Sequence, residues 1–148
     1  QWNYSFSRIP YRNIYTIMTG INIQSPWSTL LINGDKCVET RSYPIPKKYE
    51  GEELALIETP GKSGDFKARI IGTITFSHCF EYPDQCSWQE DFNRHLVEPD
   101  SEFGWKEGKK KYGWVVSDFH KFEESQPAPN NKGIIFTNNC QLTIPSGV

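Results

Sequence analysis

The sequence predicts a mainly β, α+β domain: a small mixed or antiparallel barrel, partly open, of about five or six strands with two flanking helices. Three observations carry this prediction. Short runs rich in Ile, Thr, Val and aromatic residues are separated by Pro, Gly, Asn and Asp. Only two stretches show the apolar spacing of a helix. The chain has 148 residues, about one domain by length, and can bury roughly two-thirds of its unfolded surface around a single core.

Ile21 to Gln24 reads as the first strand, with an extra strand expected around Ile14 to Met18. The first helix follows directly. Ser25 can cap it, Pro26 suits its first position and Gly34 can take the left-handed stop, while Trp27, Leu30 and Leu31 share a face. Cys37 to Tyr43 is the next strand, then Glu53 to Glu58, where Leu54, Leu56 and Glu58 alternate with Ala55, Ile57 and Thr59. Pro60 to Asp65 makes a turn into the long run Lys67 to Phe80, whose length calls for a bend or bulge at Gly72. A second helix is expected from Ser87, with Ser87 and Glu90 as a capping box and Trp88, Phe92 and Leu96 as its apolar stripe, ending before Pro99. Tyr112 to Phe122 and a short Ile134 to Phe136 complete the strands.

Composition excludes several classes. No run approaches the ~20 apolar residues that cross a bilayer. A net charge of −2 and a pI near 5.9 give no global basic footprint, so any nucleic-acid contact is local. Cys37, Cys79, Cys86 and Cys140 read as reduced thiols, because a chain this long and this aromatic needs no staples. No secretory pattern opens the sequence, and the expected compartment is the cytoplasm.

Gly61-Lys62-Ser63 lacks both the earlier glycine and the following helix of a phosphate loop, and reads as a turn. Cys79, Cys86, His78 and His95 lack the spacing of structural zinc, so neither a metal nor a cofactor is expected, and His95 reads as a packed or surface histidine. Lys106 to Lys111 leads into Tyr112-Gly113-Trp114. Lysines beside aromatics suit a single-strand binder, with Lys109, Lys110 and Lys111 on the backbone and bases stacked at about 1–3 kcal/mol each. Gly113 leaves room beside the Trp114 ring for a flat ligand. On a strand, Glu39 and Arg41 project together, away from Val38 and Thr40, with Lys36 close by. Such a group reads a polar ligand or stands as a surface ion pair.

The segments Ile21 to Trp27 and Leu30 to Gly34, followed by Lys36, Val38, Glu39, Thr40 and Arg41, resemble the ASCH domain, whose motif is GxKxxExR. Gly34, Lys36, Glu39 and Arg41 fill it at the correct spacings. Gly72-Thr73-Ile74 and Tyr112 to Val116 follow in the family's order, so the likeness covers about residues 19 to 137. It implies a domain from 19 to 148, preceded by an extension over 1–18.

The resemblance implies a PUA-like barrel with a cleft beside the first helix, taking RNA or a nucleotide. Lys36, Glu39, Arg41 and Ser25 would line it, with Trp27 or Trp114 as a stacking wall. An enzymatic branch of the family cleaves the amide of N4-acetylcytidine with a Lys, a Thr and a Glu. Lys36 matches that lysine, but Glu39 stands where the threonine belongs, Thr40 points to the opposite face, and Glu81, Glu90 and Asp91 occur in the segment of the branch's glutamate without a residue-by-residue match. Amidohydrolysis of that type is therefore disfavoured. Hydrolysis with Glu39 as general base beside Lys36, nuclease action included, is the alternative. A protein-binding adaptor is the third reading.

Overall fold

The computed structural model describes residues 15–62 and 64–143. Its elements in chain order are β1 (Tyr15–Gln24), α1 (Trp27–Ile32), β2 (Val38–Arg41), β3 (Glu53–Thr59), β4 (Arg69–Glu81), α2 (Gln85–Glu90), α3 (Phe92–His95), β5 (Tyr112–Pro127) and β6 (Phe136–Thr143), with a short 3-10 turn at Lys47–Tyr49. The six strands form one mixed sheet in the order β2-β5-β4-β3-β1-β6. Only β1 and β3 run parallel; every other pair is antiparallel. The sheet curls without closing. Its two ends approach across the interior, where Trp114 of β5 lies parallel to Phe136 of β6 at 6.3 Å. No helix among the described residues is long and apolar enough to cross a membrane.

β1, β5 and β6 run longer than the sequence pattern suggests, whereas β2 keeps only Val38–Arg41 of the expected Cys37 to Tyr43. β1 begins at Tyr15 and joins what looked like two strands, because Tyr15 to Met18 pair with β6 ahead of the bulge between Met18 and Gly20. Ile14 lies outside the described residues. β6 covers Phe136–Thr143, where only a short strand at Ile134 to Phe136 was expected. The pairing comes from β1 and carries the polar sequence Thr-Asn-Asn with it, a tertiary effect that local propensity misses. Gly72 sits at a register shift in β4, as expected of a bend. An added Cβ there would strike the His120 carbonyl oxygen, so β5 crosses directly over it.

Both helices differ in detail from the sequence reading. α1 starts one residue late, with Pro26 in the cap position and no side-chain cap. Ser25 is still in the ladder, its N–H donating to Thr59 O at 2.9 Å. At the other end Gly34 takes φ +84°, and the N–H groups of Asp35 and Lys36 both return to Leu30 O. The second helix is two helices. Asp84 caps α2 by accepting from Ser87 N–H at 2.8 Å, which displaces the Ser87–Glu90 box. The chain turns at Asp91, whose carboxylate accepts from Tyr82 Oη and Arg94, and α3 ends at Leu96 with φ +57°.

Two apolar layers lie on the faces of β3, all of whose central residues are buried. Leu54 and Leu56 face the barrel interior with Ile21, Ile23, Leu31, Ile74, Phe76 and Trp114. Ala55 and Ile57 face outward, covered by Ile70, Cys140 and Leu142. A third cluster, Tyr82, Trp88 and Val97, fastens α2 and α3 beside the barrel mouth. Each fully buried aliphatic or Phe contributes about 1.5–3 kcal/mol. Exposed pairs such as Lys62–Glu102 at 3.8 Å, worth under about 1 kcal/mol each, decide little.

Candidate functional site

A cleft of about 440 Å³ opens where the sheet fails to close, between β2, the second half of β1 and the segment leading into β6. β2 is the last strand on its side, so its free edge borders the opening. The gap is bridged by a side chain: Arg41 Nη2 on β2 donates to Asn22 O on β1 at 3.1 Å.

The helix stop delivers the first charged residue. Because Gly34 turns the chain and Lys36 N–H caps Leu30 O, the Lys36 side chain enters the protein and is 1% exposed. Its ammonium donates to the carbonyl of His95 at the end of α3 and lies 3.6 Å from Glu39 Oε1. One of its three donors is thus spent on the carbonyl, while the carboxylate pairs with its charge. Arg41 donates through Nε to Glu39 Oε2 at 2.8 Å and through Nη1 to Tyr43 Oη at 2.9 Å. The fork has five N–H groups, so two stay free for a ligand. Two cations and one carboxylate leave this floor with a single net positive charge.

Burial pushes the Lys36 ammonium pKa down, and Glu39 only partly restores it. Burial also works against the Arg41 charge, but Glu39 and then Tyr43 outweigh it and raise the value. His95 is fully buried and stacked on Trp88 at 4.7 Å. Its Nδ1 accepts from Val97 N–H at 3.0 Å, which leaves Nε2 to donate to Trp88 O at 2.7 Å. Burial, with Lys36 close by, lowers its pKa and keeps the ring neutral. This histidine supports the floor through its carbonyl and is not a catalytic base facing the cleft.

Of the residues expected at the site, Lys36, Glu39, Arg41 and Trp27 line one cleft. Thr40, expected on the far face, also reaches the lining. Ser25 does not line it. Trp114 is fully buried, with Nε1 donating to Tyr43 O at 3.1 Å. It faces Glu39 across the β2–β5 ladder and carries the Arg41 guanidinium 5.6 Å from its ring centre, so it lies beneath the floor and forms no wall. The room expected beside it at Gly113 is filled by Phe80 and Val38, which an added Cβ would meet at 2.7 and 2.9 Å. Lys109, Lys110 and Lys111 stand outside this cleft, on a neighbouring hollow.

Several lining residues carried little signal in the sequence. Asn22 and Gln24 alternate with the core residues Ile21 and Ile23, and that period places them on one non-core face. Asn22 also pins the opposite rim: its Nδ2 donates to Gly133 O at 2.8 Å. Phe103 and Ile134 come from loops, and no periodicity marks them. Phe103 meets Trp27 edge to face at 5.2 Å, while Ile134 is 96% exposed on the other rim. Trp27 itself is held because Ser28 and Thr29 donate to the buried Glu58 at 2.6 and 2.9 Å. Arg69 binds the same carboxylate, and burial notwithstanding, these donors lower its pKa. Among the described residues no group of His, Cys, Asp or Glu is placed to hold a metal.

No protein-family model matches the chain, and no curated protein matches it in sequence. Solved structures do match in shape. A serine-to-alanine variant of an ASCH protein from Zymomonas mobilis superposes with a TM-score of 0.60 at 15% identity, over 81% of this chain and 86% of that one. A second structure of ASCH from the same organism gives 0.54 at 14% identity, over 70% and 68%. A tyrosine-to-phenylalanine variant gives 0.51 at 16%, over 70% of each chain. The chain therefore has the ASCH fold.

Proposed function

We propose that this is an ASCH-family protein that binds a nucleotide or a short single-stranded RNA segment in the cleft. One observation carries the reading. Lys36, Glu39 and Arg41 of GxKxxExR line the opening of an incompletely closed barrel, beside a space walled by Trp27 and Phe103. A polar floor under an apolar wall orients a small flat ligand, and about 440 Å³ lies within the usual range for such sites. In this arrangement the ring lies against Trp27 and Phe103. Carbonyl or phosphate oxygens take the spare N–H groups, and Glu39 accepts from an exocyclic amine. The free thiols of all four cysteines fit the reducing cytoplasm.

A hydrolytic reading stands second, on one observation: a buried lysine of lowered pKa lies beside a carboxylate on the same lining. Both readings meet in one experiment. Nucleosides, nucleotides and short RNAs, modified and unmodified, are screened for binding and turnover against the wild type and the Lys36→Ala and Trp27→Ala variants. Binding without turnover, weakened in both folded variants, supports the first reading. Turnover lost in Lys36→Ala with affinity retained supports the second, and no response to any compound refutes both.

A further inference from the structure

The connection between α3 and β5 builds a second hollow of about 280 Å³ beside the cleft, with Lys106, Lys109, Lys110 and Lys111 along one side. Thr40, Arg41 and Phe103 line both spaces, so the two meet along these residues. The four lysines are not equivalent. Lys111 is half-buried. Its ammonium donates to the Phe103 carbonyl at 2.7 Å and lies 5.4 Å from the centre of the Trp88 ring. Lys110 approaches Glu81 at 3.9 Å. Lys106 and Lys109 are exposed, and neither forms an ion pair among the described residues.

We propose, building on the nucleotide reading above, that the two hollows are compartments of one site. The cleft takes the ring of the nucleotide, Lys106 and Lys109 take its phosphate on the other side of Phe103, and Lys111 is a positioning residue that holds Phe103 between them. A phosphate is recognised by ammonium groups that are free to turn toward it, which Lys106 and Lys109 are. Lys111 is not: to reach a phosphate it would release the Phe103 carbonyl and leave the Trp88 face. Burial, reinforced by Lys106, already lowers its pKa, as fits a lysine serving the fold. Phe103 is 40% exposed and touches Trp27 through an edge-to-face contact. Its place therefore depends on the strut beneath its backbone. The ligand class that follows is a phosphorylated nucleoside, as a free nucleotide or as the end of a strand, in preference to a bare nucleoside.

Calorimetric titration of adenosine, cytidine and their 5′- and 3′-monophosphates, with inorganic phosphate alone as control, tests this. At least one monophosphate is expected to bind about tenfold more tightly than its nucleoside, the equivalent of about 1.4 kcal/mol. Lys106→Ala/Lys109→Ala removes that advantage and leaves nucleoside affinity unchanged. Lys111→Met weakens nucleoside and nucleotide by the same factor and keeps the advantage, while Lys111→Arg restores both. A ligand-free readout accompanies it: NMR cross-relaxation between the Phe103 and Trp27 rings survives Lys109→Ala and Lys111→Arg and is lost in Lys111→Met. The proposal is overturned if the phosphate advantage survives loss of Lys106 and Lys109, if Lys111→Met abolishes it, or if the ring contact outlasts Lys111→Met. Nucleoside binding with no phosphate advantage overturns this inference alone. Failure of the wild type to bind any of these compounds overturns the nucleotide reading and this inference together.

Discussion

Replacing Glu39 by Gln keeps the side chain's size and removes the charge between Lys36 and Arg41. Lys36 is 1% exposed, so its ammonium would then face only uncharged carbonyl oxygens, that of His95 foremost. Breaking one partner of a buried pair costs about 3–5 kcal/mol, against about 5–15 kcal/mol for the stability of a whole domain. With a urea dependence of about 2 kcal/mol/M, the unfolding midpoint should fall by about 1.5–2.5 M. Lys36→Met/Glu39→Gln removes both charges, and it should cost less than Glu39→Gln alone. The pH dependence has a definite sign. Burial holds the folded Lys36 pKa below its ordinary 10.5, and losing Glu39 lowers it further. The unfolded chain then binds the proton more tightly than the folded one, so stability rises with pH toward 10.5 and the penalty of Glu39→Gln shrinks along it. A cost below about 1 kcal/mol, unchanged with pH, would mean that the pair behaves as an exposed surface bridge and would refute the buried floor.

Four further outcomes are expected. Because His95 is held neutral below its ordinary 6.5, unfolding takes up a proton as pH falls beneath that value. Chemical denaturation should therefore lose up to about 1.4 kcal/mol per pH unit as pH falls from 6.5 toward the lowered folded value, a slope that His95→Gln reduces by up to one proton. Below 4.5 the lowered Glu58 adds its own loss. Gly72→Ala drives a methyl into the His120 carbonyl and toward the Ile32 side chain, and should lower the urea-derived stability by about 1–3 kcal/mol or more. Trp27→Ala should weaken nucleoside binding by about 1–3 kcal/mol in titration calorimetry, and because Trp27 packs on two apolar clusters it should lower the thermal midpoint as well. Trp114→Phe should lower the thermal midpoint with little change in nucleoside binding, because that ring is buried beneath the floor.

The sequence carried the charged floor well, because its determinants are local. A glycine stop followed by Lys, Glu and Arg at fixed offsets sets both the turn and the strand parity, and these decide where the side chains go. Asn22 and Gln24 went unread, although their alternation with buried isoleucines marks the face they share. Phe103 and Ile134 were not legible, since they reach the cleft from loops whose path is set by tertiary bonds, Lys111 to the Phe103 carbonyl and Asn22 to the Gly133 carbonyl. Trp114 misled because an aromatic next to glycine and lysines resembles an exposed stacking platform. Its inward direction follows from pairing with Glu39, which only the β2–β5 register fixes. The split of the second helix was hidden for a similar reason: Asp84 takes the Ser87 N–H that a capping box there would have used, and Asp91 turns the chain by accepting from Tyr82 and Arg94.

Amide-resolved NMR titration with nucleoside monophosphates tests most directly whether the cleft is a nucleotide site. Saturable shifts are expected at Asn22, Gln24, Trp27, Arg41, Phe103 and Ile134, the residues that surround the opening. Shifts confined to Lys106 to Lys111, growing without saturation and vanishing in salt, would mean charge attraction alone and would contradict a nucleotide site in the cleft.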